Sequence, residues 1–190
     1  MAIRKIITVK HSSHKLNDIA ELVSIEMFNT PYLREISKDL HDTLIASKAT
    51  GIAAPQIGIQ KQIIAFGGKP SLNFPDFKIP FTVLINPNYK PLGDDKVLVW
   101  EHCLSLPGKR GRTVRYAQIT YTGFNACGKA ITAQATGLLA VLLQHEIDHL
   151  AGKLFPCCVL DPNEYGDIKT FEASRGACHH IEDGLKPFKG

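Results

Sequence analysis

The segment His145-Glu146-Ile147-Asp148-His149 has residue types and spacing suited to chemistry. Two histidines four apart stand one turn apart on the same helix face, so both imidazoles can reach one metal ion. Glu146, next to the first, can bring its carboxylate to a water on that ion. A catalytic centre of the zinc kind usually has three protein ligands and one open position, and two residues compete for the third place. Cys103 would supply a thiolate, which coordination deprotonates near neutral pH; the opposing account is a small buried hydrophobe at a strand end. Glu164 would complete a two-His, one-Glu metallopeptidase centre; the opposing account is a first-turn acid favoured by the helix dipole, in Asp161-Pro162-Asn163-Glu164.

These residues need elements to position them. The motif falls in a helix over 137–152, rich in Leu, Ala, Gln and Glu, with Gly152 as its stop. Cys103 falls in a strand over 96–106. Further strands are predicted at 62–67, 81–87, 113–124 and 129–135, the last two joined by the hairpin turn Asn125-Ala126-Cys127-Gly128. Helical spacing appears in Ile19, Leu22, Val23 and Met27 and again in Leu33, Ile36, Leu40, Leu44 and Ile45, with Pro31 between the two runs. Residues 71–80 read as a surface loop, 49–58 as a Gly/Ala-rich stretch ending in a turn, and 168–180 as helical. Strands in the middle with helices at both ends indicate α+β, a single domain over 1–190 whose extension from about 156 has no assigned structure.

Composition narrows the classes. At 190 residues, 44% hydrophobic and 21% charged, the chain is a folded domain, not a disordered or collagen-like one. A net charge of +4 without a basic stripe gives no nucleic-acid signal. The apolar run 138–143 is far shorter than a membrane span, and residues 1–16 carry no secretory-signal pattern, so the expected compartment is the cytoplasm. Five cysteines, an odd count, argue against a disulfide framework.

Three segments together resemble the peptide deformylases. They are Ala49-Thr50-Gly51-Ile52-Ala53-Ala54-Pro55-Gln56, Glu101-His102-Cys103-Leu104-Ser105 and Gln144-His145-Glu146-Ile147-Asp148-His149-Leu150, in the family's order. The likeness extends through Leu84-Ile85-Asn86-Pro87 and Gly152-Lys153-Leu154-Phe155, over roughly 10–160. It implies a compact α+β domain of antiparallel strands packed around a central metal-binding helix. It also implies removal of the formyl group from formylmethionyl nascent polypeptides, with release of formate. By this resemblance Cys103, His145 and His149 hold the metal, which favours Cys103 over Glu164. Glu146 acts as general base and then general acid. The Gln56 amide and the Leu104 N–H donate to the developing oxyanion.

The same resemblance makes Gly51 a border of the substrate cleft and implies Fe2+ in the cell, with Zn2+ or Ni2+ in purified protein. A formylmethionyl peptide is the implied substrate and the ribosome exit region an implied partner. From their place before His145, Leu138, Val141 and Leu142 are candidates for a methionine pocket, with plain core packing as the alternative. Asp148 is either a solvated acid or a residue orienting a ligand; Arg110 and Arg115 are read as solvent-exposed, with contact to the peptide backbone or carboxylate as the alternative. Two positions depart from the family pattern, Ala49 and His102 standing where it has glycine. Strand alternation points His102 away from Cys103, where it can narrow the cleft. The alternative functions are a catalytically weak or silent binder of formylated peptides and a zinc endopeptidase using Glu164.

Overall fold

The computed structural model describes residues 3–68, 79–170 and 185–188. Its layering follows from strand β2, Ile63–Phe66, in which every residue is apolar and buried. A strand with both faces buried needs two covers. Ile63 and Ala65 pack with Leu33, Ile36, Leu40 and Leu44 of helix α2 (Pro31–Ser47). Ile64 and Phe66 pack with Ala140, Leu143 and Leu150 of helix α3 (Gly137–Leu150).

Five antiparallel strands make the first sheet, in the order β1 (Gly51–Ala53), β2, β3 (Thr82–Pro91), β6 (Gln118–Phe124), β7 (Ala130–Thr136). A second sheet has the order β8 (Tyr165–Asp167), β5 (Lys109–Tyr116), β4 (Lys96–Glu101), β9 (Lys186–Phe188). Val97 and Val99 of β4 pack on Val141 of α3, so α3 touches both sheets. This is the α+β domain expected, with the helix that carries His145 and His149 at its centre. The Gln144 side chain ties α3 to β5, accepting from the Tyr116 N–H at 3.0 Å and donating to the Tyr116 carbonyl at 2.9 Å. Helix α1 (Val9–Asn17) ends beside Gly152, two residues after α3. A β-carbon at Gly152, φ 68°, would collide with the Asn17 carbonyl, so glycine is required there.

Four expectations are corrected. Residues 19–27 are not a helix, because their backbone groups bond to other elements. Ala20 N–H donates to the Leu150 carbonyl at 2.9 Å, Gln62 N–H to the Glu21 carbonyl at 2.8 Å, and the Asn86 amide clamps both Val23 backbone groups at 2.9 Å. Ile19 and Leu22 are exposed, and only Ile25–Met27 form a 3-10 turn. The run 113–124 is two strands in different sheets, switching at Ala117, whose N–H donates to Asp95 and whose carbonyl accepts from Gly137. The strand that leads to Cys103 stops at Glu101, and a turn follows in which Leu106 N–H donates to the Cys103 carbonyl at 3.0 Å. Within the Gly/Ala stretch, Gly51–Ala53 forms edge strand β1. The 125–128 hairpin connects β6 and β7 as expected. The 71–80 loop and the 168–180 helix fall almost wholly outside the described residues, as do Cys178, His179 and His180.

Candidate metal centre

Two elements deliver the donors. Residues 145 and 149 lie one turn apart on α3, and Cys103 follows β4 in a turn held from two sides. One hold is Val9 N–H on the Ser105 carbonyl at 3.0 Å, the other the Gln56 amide on Ser105 Oγ at 3.2 Å. The sulfur and one nitrogen from each imidazole lie within 4.8 Å of one another. Cys103 Sγ is 3.2 Å from His149 Nε2, and the two imidazoles meet edge to face at 5.1 Å. All three residues are buried. Glu164 is elsewhere, paired with Arg112 at 2.8 Å.

The electrostatics suit a cation. Burial opposes a charge on Cys103, yet His149 and His145 beside it hold its thiol well below the ordinary range. A thiolate and two imidazoles form a donor set that accepts zinc, iron or nickel. The group therefore fits the divalent ion that the sequence motif implies.

Glu101 organises the surroundings, a role the sequence reading did not assign. Its Oε2 lies 2.5 Å from His145 Nδ1. Its Oε1 accepts from Arg115 Nε at 2.7 Å and from the Thr113 hydroxyl. Arg115 continues to Asp148 at 2.5 Å. Burial alone would raise the Glu101 pKa; the Arg115 charge and the His145 contact outweigh it and hold the carboxyl well below the usual range. Arg115, expected at the surface, is buried, because β5 directs it under α3 toward two carboxylates. Asp148 is thus linked to His145 through Arg115 and Glu101. The missed signal was positional: Glu101 and Arg115 face α3 from the paired strands β4 and β5, whose register sets Glu101 opposite Gly111 and Val97 opposite Arg115.

Above the donors opens a cleft of about 310 Å³. Gln56, Gly51, Leu104, Leu138, Val141 and Leu142 line it, together with Glu146 and His102. Gln56 is 2% exposed; its Oε1 accepts from Ala53 N–H at 2.8 Å and its amide nitrogen is 3.4 Å from Cys103 Sγ. Glu146 is buried, with Oε2 unpartnered, and burial pushes its pKa up to about 7. A β-carbon at Gly51 would stand 2.5 Å from Glu146 Oε1 and 2.7 Å from Leu142 Cδ1, so this glycine is required for space. Val141 lines the cleft and also packs on Val97 and Val99. His102 is exposed at the cleft mouth while Cys103 is buried. Arg110 lies over the Trp100 ring at 5.1 Å.

A Cys-His-His donor group beside a buried carboxylate and a buried amide is the equipment of a metal-dependent hydrolase. Residues 3–162 match the model of the polypeptide deformylases. Peptide deformylase 1 of Nitrosomonas europaea is 43% identical over 147 residues, 77% of this chain and 84% of its own. The class I type b peptide deformylase from Acinetobacter baumannii with Met-Ala-Ser bound is similar at a TM-score of 0.78 and 28% identity, covering 83% of this chain and 99% of its own. A peptide deformylase from Legionella pneumophila is similar at 0.72 and 32% identity, covering 86% and 89%. The chain belongs to the polypeptide deformylase family, metal-dependent hydrolases that remove N-terminal formyl groups. No helix among the described residues is long and apolar enough to cross a membrane.

Proposed function

We propose that the chain deformylates formylmethionyl polypeptides at the cleft above Cys103, His145 and His149. The observation that supports this most is the convergence of those three donors within 4.8 Å beneath a cleft lined by Glu146 and Gln56. Cys103, His145 and His149 would hold one divalent ion, Fe2+ in the cell by family resemblance, with Zn2+ or Ni2+ taking its place in purified protein. When bound, the ion supplies Lewis acidity toward the formyl carbonyl and acidifies water.

The chain's own groups do the rest. Glu146, raised toward neutrality by burial, takes a proton from the attacking water and returns it to the departing amine nitrogen. The Gln56 amide, pre-oriented by its bond to Ala53 N–H, donates to the oxyanion, and the Leu104 N–H is its second donor. Glu101 holds the His145 ring in one orientation through Nδ1. Leu138, Val141 and Leu142 present apolar surface to the methionine side chain. Gly51 leaves room for the substrate backbone beside Glu146. The Acinetobacter relative was solved with Met-Ala-Ser, a peptide of the kind this reaction releases.

The reading makes residues 1–190 one domain, its second sheet completed by β8 and β9 from the segment after 156. It places the protein in the cytoplasm near the ribosome exit, where formylated chains emerge. The test is formate release from formyl-Met-Ala-Ser by protein prepared anaerobically with ferrous iron, with Glu146→Ala as control. Turnover absent from the control supports deformylation; a metal-loaded protein with no turnover overturns it in favour of a silent binder.

A further inference from the structure

Among the described residues lining the cleft, no acid faces solvent. Its two carboxylates, Glu101 and Glu146, are buried, and Glu101 is already engaged by Arg115 and His145. One lining residue is a lysine instead. Lys48 lines the cleft, is exposed, and has no ion-pair partner among the described residues. On the β4 side, Arg110 lies over Trp100, a residue of the cleft wall.

The backbone fixes where the Lys48 side chain starts. It closes α2 with φ 55° and ψ 28°, its N–H donating to the Leu44 and Ile45 carbonyls. That left-handed conformation disfavours a β-carbon and is usually left to glycine. A lysine there starts its side chain from a fixed point on the cleft rim.

We propose that Lys48 is a specificity-determining residue that favours formylated peptides with a carboxylate side chain directly after the methionine. The proposal rests on the deformylase reading, since it assigns that cleft to the peptide. Attraction between full charges across a wet cleft gives a several-fold to about tenfold preference and weakens as salt screens it.

The experiment compares kcat/KM for formyl-Met-Glu-Ser and formyl-Met-Lys-Ser with iron-loaded wild type, Lys48→Gly and Lys48→Glu. The wild type is expected to favour the Glu peptide about tenfold at low ionic strength, with the ratio shrinking in high salt. Lys48→Gly, which removes the charge and suits the backbone, brings the ratio toward one, and Lys48→Glu inverts it. A wild-type ratio near one, or the same ratio in all three proteins, overturns the proposal. Turnover of the neutral peptide formyl-Met-Ala-Ser by the wild type tests the deformylase reading separately, so the two failures are told apart.

Discussion

The Glu101 carboxylate meets His145 Nδ1 at 2.5 Å, and this contact joins the donor cluster to a chain of buried charges. From Glu101 the chain passes to Arg115 at 2.7 Å and then back to α3 at Asp148, 2.5 Å further on. The helix that carries both histidines is therefore fastened to β4 of the second sheet by the same group that orients His145, and to β5 through Arg115.

Replacing Glu101 by Gln keeps the shape and removes the charge that fixes His145 and pairs with Arg115. Metal affinity is expected to fall about 10- to 100-fold, the usual effect of losing a residue that orients a ligand. Competition with a chromophoric chelator measures it. Unchanged affinity would show that His145 is oriented by its packing on Phe155 alone.

The same carboxyl gives stability a pH dependence. Glu101 is held well below its ordinary value of 4.5, so the folded state binds its proton more weakly than the unfolded state does. Its contribution is full above about pH 4.5 and is lost as pH falls below that value. Urea midpoints measured from neutral pH downward should drop more steeply for wild type than for Glu101→Gln in that acid window. Parallel curves would contradict the assignment.

Gly51→Ala places a methyl group against Glu146 Oε1 and Leu142 Cδ1. Overpacking of this kind costs about 1–3 kcal/mol, and here part of it displaces Glu146, the proposed proton carrier. Formate release is expected to drop at least about tenfold, with kcat falling more than KM rises. Full activity would mean that β1 shifts freely.

Gln56→Ala removes the side-chain donor aimed into the cleft and leaves Ala53 N–H without its partner. On the proposed oxyanion role the expected loss is about 10²–10³ in kcat, together with about 1–3 kcal/mol of stability from the orphaned N–H. Steady-state kinetics and thermal melts read the two effects apart. A stability loss with kcat intact would make Gln56 a purely structural residue.

Local pattern was enough wherever one element carries the whole signal. The i, i+4 spacing of His145 and His149 on a helix, the Asn125–Gly128 turn and the apolar stripe of α2 are each legible within a short window, because helix and hairpin periodicity are local. The family resemblance was carried instead by three separate segments, 49–56, 101–105 and 144–150, taken in order. The segment 19–27 shows the opposite case. Its apolar spacing is helical, but Asn86, Gln62 and Leu150 claim its backbone hydrogen bonds, and all three lie far away in sequence.

Residue types alone left Cys103 and Glu164 level as third donors, and the family resemblance favoured Cys103. Only the tertiary structure brings the turn after β4 onto the face of α3 and sends Glu164 to Arg112. The burial of Arg115, the linking role of Glu101 and the space kept by Gly51 depend likewise on how two sheets close on one helix. A charge is inexpensive at the surface and costly inside, and which of the two applies to Arg115 is set by β5 pairing with β4 beneath α3, a long-range relationship that spacing along the chain does not record.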